Sequence, residues 1–296
     1  MNAVDSAEPF WGPPTSKANF CETDYAVSRY IAEFINSLTN VVYSKQRQRG
    51  IPERLRQKAN KHGDSLRVLP YWGLMAVGLC SLAFHVSLKY HTQMMDDLSM
   101  HFATTPVLHR ILTANSNRRD SVVMAIVLGS MLLFLVTYHV RTDELILHSV
   151  SFVGTVTVIG IHTMRLVNNR TLPGSASRRQ IWGMVRFGAA IFNLGYWLWL
   201  IDRWACGFLR DAREAIGLPW AFVLELHGWW HICTGIGAYV FIAVVDHLVS
   251  GEDLRDIQQS FAWPAPWASR SIFAGRGPSV DGGGKGEAKV KSRLGF

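Results

Sequence analysis

The chain has 296 residues, of which 49% are hydrophobic and only 18% charged, and long apolar runs alternate along it with short basic ones. That pattern excludes a soluble globule and points to an integral membrane protein, in which eleven tryptophans would suit the membrane–water interfaces. A net charge of +8 would fit a nucleic-acid binder, but the charge is shared out among the connections between apolar runs, which argues against that class and leaves a basic RNA-binding patch at Lys45–Arg67 only as the minor alternative.

In chain order, residues 1–24 form a polar lead with WGPP and an acidic cluster, and they lack the marks of a cleavable signal peptide. The first candidate span, Tyr25–Tyr43, is poorly apolar. Its Arg29, Glu33, Asn36 and Asn40 fall at spacings of 4, 3 and 4, one helical face, and lipid would penalise that face, so it is expected to look into a bundle. A basic loop, Lys45–Arg67, leads to the second span, Val68–Leu88. Ser81 and His85, four residues apart, share one face of its last turns. A polar joint, Lys89–Gln93, should fold the third span, Met94–Leu112, back so that Asp96 comes beside them. Ser121–Val140, Glu144–Leu166, Gln180–Ile201 and Trp220–Val249 complete a set of seven, the last overlong at its start. The loops Asn115–Asp120 and Asn168–Arg179 are turn-rich. From Gly251 the chain turns polar, then rich in Gly and Lys, and reads as a disordered tail.

The basic residues set the orientation. Eight lie in Lys45–Arg67, three in Arg110–Asp120, four in Arg165–Arg179 and seven after Val249, against six in the lead and the opposite connections. The positive-inside rule then puts the N-terminus in the lumen and the C-terminus in the cytosol. Asn169-Arg170-Thr171 fits the N-glycosylation pattern but falls on the cytosolic side, so it is expected to be unmodified. The fold class is therefore an all-α, seven-helix membrane bundle: lead 1–24, helical domain 25–249 and cytosolic tail 250–296.

This topology gathers His85, Asp96, His227 and His231 at the lumenal ends of three helices. One buried histidine is usually satisfied by a neighbour, but four ionisable groups at one membrane depth favour a site. His227 and His231 repeat the spacing of four, and three imidazoles with room for water suit catalytic zinc. Asp97 points about 100° away from Asp96 on a helix and is read as structural. His91, His101, His109, His139, His148 and His162 lie outside the cluster and are read the same way.

Three blocks, WGPPTSKANFCETDYAVSRYIAEFINSLTNVVY, SLAFHVSLKYHTQMMDDLSM and LHGWWHICTG, resemble the alkaline ceramidases, especially the fungal ones, and the likeness runs from about Phe10 to His247. The resemblance implies a seven-helix fold shared in outline with the adiponectin and progestin receptors. It also implies hydrolysis of the ceramide amide, with dihydro- or phytoceramide as substrate, in the endoplasmic reticulum or Golgi membrane. By motif position, His85, His227 and His231 hold zinc, which lowers the pKa of water and polarises an amide carbonyl. Asp96 then moves the water proton to the leaving amine, and Ser81 either donates to the oxyanion or orients the water. The resemblance further implies a calcium site from Asn19, the Phe20 carbonyl, Glu22, Asp24 and Glu33. The family usually has Asp where Asn19 stands and Asn where Asp24 stands, so the carboxylate count is kept. It also favours a disulfide between Cys21 and Cys206, both expected in the oxidising lumen. Cys80 and Cys233 read as packing residues, and Asp202 as paired with a bundle neighbour. No obligate protein partner is implied; the partner is the lipid substrate. The alternatives are a lipid-responsive receptor of the related fold, or an inactive relative that keeps zinc structurally.

One departure stands out. Relatives continue the first helix with more apolar residues where this chain passes from NVVY to SKQRQRG. Either the helix is short, with Lys45, Arg47 and Arg49 snorkelling to the headgroups, or an in-frame apolar segment has been lost from the deduced sequence, which is the reading favoured here.

Overall fold

The computed structural model describes residues 8–43, 68–250 and 263–275. The basic loop Lys45–Arg67, most of the tail and the junction after Tyr43 therefore lie outside the described residues. Within them the protein is helical: α1 Phe34–Thr39, α2 Leu69–Ser87, α3 Tyr90–Leu112, α4 Arg118–Thr142, α5 Leu145–Arg170, α6 Ala176–Trp204, α7 Cys206–Ile216, α8 Leu226–Ser250 and α9 Ala265–Ala268. Five of these (α2, α4, α5, α6 and α8) are long and apolar enough to cross a membrane, so this is a multi-pass membrane protein. The expected seven are not all met on that criterion. α3 is 23 residues long but carries Gln93, Asp96, Asp97, His101 and Arg110. It is sheltered by packing against α2, α4, α5 and α8.

The first expected span is corrected at its N-terminal side. Tyr25–Glu33 is not helical, because its backbone groups pair at long range instead. Ala32 N–H donates to Val86 O at 3.0 Å, Glu33 N–H to His85 O at 2.9 Å, and Phe10 N–H to Arg29 O at 2.9 Å. Helix begins only at Phe34, where the Glu22 carboxylate accepts from the free N–H groups of Ile35 (2.7 Å) and Asn36 (2.9 Å). Glu33, Asn36 and Asn40 are buried, facing the bundle, whereas Arg29, lying before the helix, is exposed. Residues 41–43 are helical again, and Tyr43 inserts into the core with its hydroxyl 2.9 Å from Thr234 Oγ1.

The joint between α2 and α3 is also shorter than Lys89–Gln93. α3 is under way at Tyr90, leaving Leu88 and Lys89 as the connection. Leu88 takes a left-handed conformation (φ 50°), uncommon for a branched apolar residue. The lead holds it there: its carbonyl accepts from Thr15 and Ser16, and Thr15 Oγ1 accepts from the Tyr90 N–H. A tight connection of this kind brings the start of α3 back against the end of α2.

The core lies between α6 and α8, where Ile181, Met184 and Val185 meet Tyr239, Val240 and Ala243. By contrast α4 presents Val122, Ile126, Met131 and Phe134 outward, as a lipid-facing helix should. Two elements were not expected. α7 lies in the connection after α6, where no helix is expected from the sequence. Residues 263–275, inside the expected disordered tail, are folded: Ala265 and Ala268 are fully buried against α6. Gly183 permits that approach, since a Cβ there would lie 2.7 Å from Ala268 O.

Candidate metal centre

His85 sits on the last turn of α2, and His227 and His231 one turn apart at the start of α8. Their ring centroids are 4.6–5.1 Å apart, and one nitrogen from each lies within 4.8 Å of the others. Among the described residues this is the one group of three or more His, Cys, Asp or Glu gathered so closely. All three rings are buried.

Two hydrogen bonds determine which nitrogen is free. Glu33 Oε2 meets His85 Nδ1; with Glu33 ionised the carboxylate accepts there, and His85 then carries its proton on Nδ1. Its Nε2 is buried without a hydrogen-bond partner. Thr39 Oγ1 lies 3.0 Å from His231 Nδ1. The Thr39 hydroxyl already donates to the carbonyls of its own helix, 2.9 Å from Ile35 O, so it too accepts from the ring. His231 Nε2 thereby keeps its lone pair. His227 has its Nδ1 buried without a partner, while its ring stacks on Phe20 at 3.6 Å between centroids. Orphaned imidazole nitrogens of this kind are costly unless something fills the space between them. A three-nitrogen set, each member steadied through its other ring nitrogen or by stacking, fits zinc.

Asp96, in the second turn of α3, is hydrogen-bonded to Ser81, one turn before His85. A hydroxyl, a carboxyl and the three rings are thus brought into one neighbourhood. Asp97 faces elsewhere: its oxygens lie 3.0 Å from His139 Nε2 and 3.7 Å from His148 Nε2.

The lead covers the centre and is fastened at several points. Cys21 and Cys206 form a disulfide. Asp202, at the end of α6, accepts from the N–H of Cys21 (3.2 Å) and of His227 (3.3 Å), which identifies its partner. Arg213 of α7 donates to Cys21 O at 2.7 Å. Gln93 is a further fastening that sequence reasoning missed. Its Oε1 accepts from Lys17 N–H at 2.8 Å, while its amide donates to Asp97 and Asp143.

The expected calcium residues are linked pairwise rather than closed into a cage. Asn19 Nδ2 donates to Asp24 Oδ2 at 3.2 Å, and Phe20 N–H to Glu33 Oε1 at 3.2 Å. Asp24 Oδ1 is buried without a partner. Burial pushes Glu22 up to about 7 and also raises Asp24; at Glu22 the N–H bonds from α1 pull down and the Glu33 charge pushes up. Three crowded carboxylates with an orphaned oxygen fit a hard cation that takes oxygen ligands. Glu33 belongs to both groups, joining Phe20 to His85. The Glu33–His85 contact spans 52 residues of sequence, and the signal for it was the polar Glu33–Asn36–Asn40 stripe.

A family profile described as Ceramidase matches residues 12–272. Alkaline ceramidase YPC1 of Saccharomyces cerevisiae is 29% identical over 293 residues, covering 94% of this chain and 91% of its own length. Alkaline ceramidase 3 of Mus musculus is 28% identical over 243 residues, covering 81% and 86%. An alkaline ceramidase of Arabidopsis thaliana is 35% identical over 97 residues, 33% of this chain.

Proposed function

This chain belongs to the ceramidase family and is a ceramidase, and we propose that it uses zinc held by His85, His227 and His231 to cleave dihydro- or phytoceramide. The observation that carries the reading is the pair of orphaned ring nitrogens on His85 and His227, beside the Ser81–Asp96 hydrogen bond. When bound, zinc supplies Lewis-acid activation of water and of the amide carbonyl.

The chain's own residues handle the proton and the geometry. Asp96 accepts a proton from the attacking water and delivers it to the amide nitrogen, so that the C–N bond breaks to give a long-chain base and a fatty acid. The Ser81 hydroxyl holds the Asp96 carboxyl toward the rings, and is free to turn to the developing oxyanion. Glu33 and Thr39 fix the tautomers of His85 and His231. Phe20 and the disulfide-anchored lead cover the rings and limit water around them.

We infer a calcium ion at Asn19, the Phe20 carbonyl, Glu22, Asp24 and Glu33, which would offset the crowded carboxylates and stiffen the lead. The basic-residue pattern supports seven spans with the lead in the lumen of the endoplasmic reticulum or Golgi, α1 and α3 completing the set inside the bundle.

Release of free long-chain base from labelled ceramide by the purified protein tests the reading. Turnover should vanish on zinc chelation and return with zinc, and dihydro- and phytoceramide should be cleaved faster than the unsaturated form. Turnover indifferent to thorough zinc removal would overturn the metal assignment.

A further inference from the structure

At the end of α6 away from the histidine centre lies a cavity of about 350 Å³, bounded by Ser175, Arg178, Arg179, Trp182, Arg186 and Ala274. Arg186 is sixteen residues from Asp202, roughly 24 Å along the helix. The cavity therefore sits near the opposite membrane face, the one the basic loops assign to the cytosol. Its outer wall is the folded C-terminal segment, whose Phe273 carbonyl accepts from Arg186 Nη1 at 2.9 Å.

Each guanidinium is held by neutral groups. Arg178 donates to Asn168 Oδ1 (2.5 Å), Arg179 to Gly174 O (2.9 Å), and Arg186 also lies over the Trp182 ring at 5.6 Å. Among the described residues none of the three meets a carboxylate. The bonds account for some N–H groups of each fork and leave others to point at a ligand. Three positive charges around one hollow call for an anion of comparable charge, and guanidinium forks match phosphate oxygens in pairs. The apolar flank is formed by Leu172 and Ile272, two residues from Gly174 and Ala274 of the lining and 54% and 90% exposed, with Trp267, packed on Phe187 next to Arg186, 49% exposed. Such residues at a membrane interface sit against acyl chains. A soluble anion would leave that flank unused, whereas a lipid would occupy both parts.

We propose that this cavity binds the phosphate monoester headgroup of an anionic membrane lipid, with the acyl chains leaving along Leu172 and Ile272. The full chain is placed in phosphatidylcholine nanodiscs, alone or with phosphatidylinositol 4-phosphate, with phosphatidylglycerol at matched charge, or with soluble inorganic phosphate. Thermal unfolding and native mass spectrometry are the readouts. The monoester lipid should raise the unfolding midpoint by several degrees and persist as a stoichiometric adduct. Arg179→Gln and Arg186→Gln should each lose both effects while keeping wild-type ceramide turnover in phosphatidylcholine, which shows that they fold. An equal shift with phosphatidylglycerol would reduce the effect to general surface charge, and an equal shift with inorganic phosphate would assign the cavity to a soluble anion. Either result overturns the proposal, as does an undiminished shift in both variants.

Discussion

Two buried groups of three histidines lie within reach of consecutive carboxylates on α3, and they differ in what their nitrogens do. In the first group, beside Asp96, His85 Nε2 and His227 Nδ1 have no partner. In the second, beside Asp97, the rings satisfy one another and their surroundings. His139 bridges Asp97 Oδ2 and Glu144 O, both at 3.0 Å, and His101 Nε2 meets His148 Nδ1 at 3.2 Å. The burial is alike, at 0–3% exposure against 3–7%. The number and burial of histidines therefore do not separate the two groups; the unpartnered nitrogens of the first do, and they are what support the proposed metal centre there. The second group is a polar clamp joining α3, α4 and α5, and it gives Asp97 a structural task.

The sharpest way to break this contrast is to remove rings from each group. Replacing His85, His227 or His231 by Ala should abolish zinc binding and ceramide turnover together. Replacing His101, His139 or His148 by Ala should leave the zinc content of the purified protein unchanged and lower its unfolding midpoint instead. Zinc lost equally from both sets, measured by elemental analysis, would erase the distinction.

The carboxylates come next. Asp96→Asn should lower turnover by roughly 10²–10⁴-fold with metal retained, since Asn cannot carry the proton. Asp97→Asn keeps an acceptor for His139 and should cost about 1–3 kcal/mol of stability with turnover changed only a few-fold. Equal kinetic losses would mean that Asp97 shares the proton path.

A smaller effect is expected at Glu33, which touches no ceramide atom in this scheme and acts through His85. Glu33→Gln should weaken zinc binding by about 10–100-fold, as for other partners of ligating histidines. It should also weaken any calcium-induced rise in the unfolding midpoint, because Glu33 is shared between the two proposed sites. An unchanged zinc affinity would leave His85 needing no anionic partner.

The parts of this arrangement differ in how far the sequence discloses them. Ser81 and His85, and His227 and His231, declare themselves because a spacing of four can only mean one helical face. The approach of Asp96 follows from a short connection, although that connection proves tighter than its polar composition suggests. The onset of α1 at Phe34 could not be read, since what keeps Tyr25–Glu33 out of a helix is hydrogen bonding to Val86 and His85, more than fifty residues on. Residues 263–275 were hidden for a related reason. Two buried alanines make no periodic pattern, and their partner is a glycine on α6. The polar make-up of α3 was visible, but only its neighbours explain how it is sheltered.

The finest test of the contrast is Thr39, whose hydroxyl, with the Asn36 carbonyl, orients His231. In most helices a threonine that donates to its own backbone has no further role, and nothing in the sequence separates Thr39 from Thr104 or Thr137, which do the same. The difference is position: Thr39 faces Gly228, where an added Cβ would lie 3.2 Å from the Thr39 methyl, so the hydroxyl is wedged against α8. Thr39→Val keeps the shape and removes one of two acceptors, leaving the His231 ring N–H only the Asn36 carbonyl and loosening its hold on the tautomer that keeps Nε2 open for the proposed metal. Zinc affinity should fall by about tenfold, the low end for such partners, and Thr39→Ser should restore it. Ser151→Ala is the matching change in the second group, removing a hydroxyl 3.5 Å from His101 Nε2. It should leave zinc affinity as it was. If Thr39→Val behaves like Ser151→Ala in a competitive zinc titration, the His231 tautomer is not set by Thr39, and the Asn36 carbonyl on the same helix holds the ring instead.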